Sequence, residues 1–100
     1  MSDVSIEARG DGRYFLTGAL TFATAPKVYA QGNALFAKDD SAVTLDLQGV
    51  DRTDSAGLAL LLEWLRTAKQ QNKIVQFQNI PPQMQSMARL SGLDDILALS

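Results

Sequence analysis

Apolar and polar positions alternate twice near the start of the chain: at Val4, Ile6 and Ala8, and again through Arg13-Tyr14-Phe15-Leu16-Thr17-Gly18. A period of two predicts strands, and Gly10-Asp11-Gly12 between them predicts a turn, so the chain opens with a hairpin. Thr24-Ala25-Pro26 predicts a helix start, with proline near the first helical position. Val28, Tyr29, Gly32, Leu35 and Phe36 then recur at helical spacing on one face, and Lys38-Asp39-Asp40-Ser41 breaks the pattern. Val43, Leu45 and Leu47 predict a third strand, Leu58 to Gln71 the strongest helix, and Ile74-Val75-Gln76-Phe77 a fourth strand. Pro81-Pro82 stops that strand, and Met84, Met87, Ala88 and Leu90 supply another amphipathic helix. Ser91-Gly92-Leu93 predicts its end, with glycine left-handed and leucine turning back. Asp94-Asp95 suits the start of a short terminal helix carrying Ile96, Leu97 and Leu99.

The resulting order is β-β-α-β-α-β-α-α. Strand three, the helix after it and strand four form a crossover unit, which is right-handed and makes those strands parallel. The expected fold class is α/β: a small mixed four-stranded sheet with about four helices packed on it, in a single domain over residues 1–100.

The junction Val50-Asp51-Arg52-Thr53-Asp54-Ser55-Ala56-Gly57-Leu58 places a hydroxyl residue and two small residues where a strand gives way to a helix. Free N–H groups and the helix dipole favour an oxygen or an anion there, so Ser55 or Asp54 is expected to cap the helix. Gly57 in the first turn costs about 1 kcal/mol relative to alanine. Close approach by another molecule and a tight strand-to-helix turn explain it equally well. On a wheel with Leu58 at zero, Leu61, Leu62, Leu65, Ala68 and Lys69 form the expected core stripe. Leu60 and Trp64 fall well outside it and adjoin on the helix surface, which predicts a contact patch for a partner.

Composition removes most chemistry. Cysteine and histidine are both absent, which excludes disulfides, Cys/His zinc sites, thiol nucleophiles and hydrolytic triads built on histidine. A serine without such a partner has no activating base: Lys69 lies on the packed side of the helix and Arg52 cannot accept a proton. Gly10-x-Gly12 has no following helix or third glycine and fails the dinucleotide fingerprint. The 11 acidic and 9 basic residues are scattered, giving a net charge of −2 and no basic face for nucleic acid. The start of the chain has no apolar signal region, and no apolar run approaches the ~20 residues that span a bilayer. A soluble intracellular domain is expected, without cofactor or metal and without direct membrane insertion.

The run Asp46-Leu47-x-x-Val50-x-x-x-Asp54-Ser55-Ala56-Gly57-Leu58 with the closing Ser91-Gly92-Leu93 resembles the STAS domain, the sulphate transporter and anti-sigma factor antagonist family. The resemblance covers nearly the whole chain. Within the family, Asp54 to Leu65 is most similar to the STAS subunits of Mla-type phospholipid-transport ABC complexes. That resemblance implies a mixed sheet with helices on one side and a non-catalytic cytoplasmic subunit, peripheral to the inner membrane. It would dock on the ATPase, and through it on the permease, in a system maintaining outer-membrane lipid asymmetry. Ser55 maps onto the family's hydroxyl position, a docking contact in transporter subunits and the phosphorylated serine in anti-sigma factor antagonists. The expected partner-binding residues are Thr53, Asp54, Ser55, Ala56, Gly57, Leu60 and Trp64, with Ser55 the candidate phosphorylation position. Many antagonists carry Gly-Glu-Leu-Asp after the second strand, where this chain has Gly18-Ala19-Leu20-Thr21. The missing acids favour docking over kinase recognition.

Overall fold

The computed structural model describes residues 4–36 and 42–97, without the side chains of Leu35 and Phe36. Its elements are β1 (Val4–Gly10), β2 (Arg13–Leu20), α1 (Ala25–Phe36), β3 (Ala42–Thr53), α2 (Ser55–Gln70), β4 (Ile74–Gln78) and α3 (Pro82–Leu90). The opening hairpin forms as expected, with β1 antiparallel to β2 and Val4 opposite Gly18. Its turn takes three consecutive left-handed residues, Gly10, Asp11 and Gly12, at φ 89°, 54° and 74°. Glycine and aspartate are the residues that tolerate this conformation at least cost.

The four strands lie in the order β1-β2-β3-β4, and β3 is parallel both to β2 and to β4. The sheet is therefore mixed, and the β3–α2–β4 crossover has the predicted parallel strands. Tyr14 and Leu16 on β2 and Val43, Leu45 and Leu47 on β3 are buried beneath the helices. The other face is polar: Ser5 Oγ lies 2.7 Å from Thr17 Oγ1, and Arg9 pairs with Glu7 at 3.3 Å and covers the Phe15 ring.

β3 runs well beyond the predicted Val43–Leu47 segment, to Thr53. Gln48 and Gly49 interrupt the apolar alternation and hid the continuation. A Cβ on Gly49 would sit 2.7 Å from the Leu16 carbonyl oxygen, so glycine is what lets the two strands stay close past their register shift.

α2 is the middle helix, touching α1 on one side, α3 on the other, and β3 and β4 beneath. Its buried residues are Gly57, Leu58, Leu60, Leu61, Trp64 and Ala68, while Leu62 and Leu65 are half-buried and Lys69 is exposed. The core stripe is thus rotated roughly 60° from the expected one, toward Trp64. Flanking helices, invisible in the periodicity of α2 itself, cause the shift. Leu60 and Trp64 are consequently not an exposed patch.

α2 and α3 end in the same way. Lys73 N–H donates to the Ala68 carbonyl at 2.8 Å with Asn72 left-handed, and Leu93 N–H donates to the Ala88 carbonyl at 2.8 Å with Gly92 left-handed. These are Schellman ends, and the predicted Ser91-Gly92-Leu93 stop is one of them. Among the described residues there are three helices rather than about four. Residues 94–97 form a turn closed by Leu97 N–H on the Leu93 carbonyl at 3.0 Å, burying Leu97, while Leu99 lies outside the described residues. Leu90, expected on the apolar face of α3, is 89% exposed. The polar break at 38–41 also lies outside the described residues.

Candidate functional site

Because β2 and β3 are parallel neighbours, their carboxyl ends finish together, with Leu20 opposite Thr53. The chain leaves β2 through residues 21–24 into α1, and leaves β3 through Asp54 into α2. The two helix N-termini therefore stand side by side at the carboxyl edge of the sheet, where α/β folds place their ligand crevices.

Asp54 joins these two exits. It is the N-cap of α2, with Oδ1 accepting from Ala56 N–H at 2.9 Å, while Oδ2 accepts from Phe22 N–H at 3.1 Å. The Asp54 N–H in turn donates to the Leu20 carbonyl at 3.3 Å. The cap is thus Asp54 and not Ser55. Ser55 is the first helical residue, with an exposed side chain. A carboxylate already answers the positive end of the helix, so the mouth of α2 is a poor place for a free phosphate.

The neighbouring small residues have internal work. Gly57 is buried, and a Cβ there would meet Thr53 Oγ1 and lie 2.5 Å from the Leu20 carbonyl oxygen. The tight strand-to-helix turn, and not an approaching molecule, therefore requires glycine. Thr53 is buried too, its hydroxyl donating to the Asp54 carbonyl at 3.3 Å.

Between the N-terminal halves of α1 and α2 runs an apolar groove of about 390 Å³. Ala25, Pro26 and Tyr29 form the α1 wall, Ala56, Ala59, Leu60 and Glu63 the α2 wall, and Phe22 stands at its mouth. Phe22 is 83% exposed, whereas Leu60 is 4% exposed and forms part of the lining. Trp64 is fully buried, with Gly32 of α1 laid against its indole; a Cβ on Gly32 would come within 2.6 Å of the ring. At the far end Tyr29 Oη lies 3.4 Å from Thr67 Oγ1, and this hydrogen bond lowers the Tyr29 pKa below the ordinary phenolic value. Glu63 is paired with Arg66 at 2.8 Å, which raises the guanidinium pKa.

Of the seven residues expected at the contact face, Ala56 and Leu60 line the groove and Asp54 reaches its mouth by accepting from Phe22 N–H, while Ser55, next to Ala56 in the chain, is exposed but is not part of the lining. Thr53, Gly57 and Trp64 are buried supports behind it. Sequence reasoning missed Phe22, Pro26, Tyr29 and Ala59 as a surface. Phe22 carries no periodic signal, and the one hint in the sequence is an aromatic residue in the short stretch before a proline-started helix. No cluster of three or more acidic, histidine or cysteine side chains suited to a metal ion exists among the described residues. Nor is any helix among them long and apolar enough to cross a membrane.

Residues 7–99 match the family model described as "Mlab, STAS domain". The intermembrane phospholipid transport system binding protein MlaB of Haemophilus influenzae is 32% identical, over 84% of this chain and 83% of that protein. Among solved structures, an anti-sigma factor antagonist from Mycobacterium paratuberculosis superposes with a TM-score of 0.71 at 23% identity, over 96% of this chain and 82% of the other. The phosphorylated Bacillus cell fate determinant SpoIIAA gives 0.69 at 19% identity, over 93% and 86%. At these identities the two structures share the fold with this chain. The mixed four-stranded sheet and the family match agree: the chain belongs to the MlaB-type STAS-domain family.

Proposed function

We propose that this chain is a non-catalytic subunit that binds the ATPase of an ABC phospholipid transporter and regulates or stabilises it. Through the ATPase it associates with the inner-membrane permease on the cytoplasmic side, in a system maintaining outer-membrane lipid asymmetry. The observation that carries this reading is the apolar groove beside an exposed Ser55, in a chain 32% identical to a phospholipid-transport MlaB. A groove lined by alanine, proline, leucine and tyrosine suits burial of a partner's apolar side chains. Ser55, Asp54 and Ala56 border the contact; Leu60 contributes from its floor; Thr53, Gly57 and Trp64 hold the shape from behind. Copurification of the tagged chain with the ATPase tests this. Ser55→Asp introduces a charge next to Ala56 of the groove lining and is expected to abolish copurification. Normal binding by that variant refutes docking at this face.

A second reading, an anti-sigma factor antagonist controlled by phosphorylation, draws on the exposure of Ser55 in the first turn of α2. Phosphate there would add nearly two negative charges beside Asp54. Residues 19–21, the place where many antagonists carry acids, are Ala, Leu and Thr, with Ala19 and Leu20 buried, which favours the docking reading. Incubation with the host's serine kinases and ATP separates the two. Stoichiometric phosphate on Ser55, with loss of partner binding, supports the second.

A further inference from the structure

We propose that Phe22 is the anchor of the docking face and that Asp54 is the positioning residue that presets it for a protein partner. The inference rests on the docking reading above and names the residues that carry it.

Phe22 is 83% exposed and Leu90 89%, so exposure alone marks neither. What sets Phe22 apart is its place at the mouth of the apolar groove, where it extends one continuous apolar surface. Phe22 is presented by a loop held at several points. Thr24 N–H and Ala25 N–H both donate to the Thr21 carbonyl, at 3.0 and 2.8 Å. Thr24 Oγ1 donates to the Ala19 carbonyl at 2.6 Å and accepts from Thr21 N–H at 3.0 Å. The remaining hold comes from 32 residues away, where Asp54 Oδ2 accepts from Phe22 N–H at 3.1 Å. One carboxylate thus fixes the start of α2 with one oxygen and the anchor's backbone with the other. A loop backbone fixed before binding has less ordering left to lose on docking, which favours a strong contact from the side chain it carries.

The charges around the groove select the occupant. Among the described residues its only charged lining residue is Glu63, already paired with Arg66, and the Asp54 carboxylate is bonded to Phe22 at its mouth. No basic side chain among the described residues lines it, so an anionic lipid headgroup or a nucleotide phosphate entering here would meet carboxylates. A neutral apolar segment of a protein meets no such penalty. The groove's two helical walls and a volume of about 390 Å³ fit two or three aliphatic side chains from one face of a helix.

Isothermal titration of the purified ATPase subunit into the wild-type chain, Phe22→Ala and Asp54→Asn tests the proposal. Phe22→Ala is expected to weaken binding roughly 30-fold or more, with its melting temperature essentially unchanged because the ring is exposed. Asparagine keeps the cap, since its Oδ1 still accepts from Ala56 N–H, but its amide nitrogen cannot accept from Phe22 N–H. Asp54→Asn is therefore expected to retain its melting temperature, to exchange the Phe22 amide at least about tenfold faster, and to bind roughly 5–10-fold more weakly. Wild-type affinity in Phe22→Ala overturns the anchor while leaving the docking reading intact. Wild-type affinity in Asp54→Asn, despite fast Phe22 exchange, overturns the positioning role alone. No binding by the wild-type chain overturns the docking reading and the anchor together. Cosedimentation of the wild-type chain, but not Phe22→Ala, with phosphatidylethanolamine–phosphatidylglycerol vesicles assigns Phe22 to a membrane surface and overturns the protein partner.

Discussion

Trp64 distinguishes a buried support from a surface contact, and a double-mutant cycle with Gly32 measures which it is. The indole is fully buried, and Gly32 of α1 lies so close that a Cβ would come within 2.6 to 2.8 Å of three ring atoms. Truncating a buried tryptophan to alanine costs about 3–5 kcal/mol. For a domain of this size that is on the order of 15–30 °C in melting temperature. Gly32→Ala alone is expected to be destabilising by about 1–3 kcal/mol, because the ring sits in a filled core and cannot withdraw. In an open helix the same change would stabilise by up to about 1 kcal/mol. In a Trp64→Leu background the ring is gone and the sign of Gly32→Ala should reverse. Urea unfolding followed by circular dichroism reads Trp64→Ala and all four corners of the Gly32→Ala and Trp64→Leu cycle. A Trp64→Ala cost below about 1 kcal/mol, or a stabilising Gly32→Ala in the wild-type background, refutes the α1–α2 packing described here.

Other substitutions probe the junction. Gly57→Ala puts a methyl group 2.5 Å from the Leu20 carbonyl and is expected to destabilise by about 1–3 kcal/mol despite the gain in helix propensity; thermal melting checks the sign. Asp54→Ala removes both the cap and the Phe22 tether and should cost about 1–3 kcal/mol by denaturant titration, whereas Asp54→Asn stays within about 0.5 kcal/mol of the wild type. Leu90→Ala, on a side chain 89% exposed, is expected to shift stability by less than about 0.5 kcal/mol in the same assay.

Much of the fold was legible because its signals are local. Alternation marks the hairpin and the start of β3, and Gly92 in a left-handed position ends α3 where the residue pattern predicts. The site was legible only in part, because its decisive contacts join distant segments. The period of α2 defines an apolar arc but not which neighbours cover its flanks, so Leu60 and Trp64 read as surface although α1 packs over them. Ser55 and Asp54 both suit a cap by type. The oxygen that reaches Phe22 from Asp54 belongs to tertiary structure, as does the Leu20 carbonyl that makes Gly57 necessary. Phe22 itself is one aromatic in a short loop and forms no pattern at all.

Hydrogen–deuterium exchange of the chain, free and saturated with the ATPase subunit, tests the central claim most directly. Docking at the α1–α2 face predicts slowed amide exchange in residues 21–29 and 55–63, with β1 and α3 unchanged. Protection confined to the polar face of the sheet or to α3, with both groove segments unaffected, would contradict it.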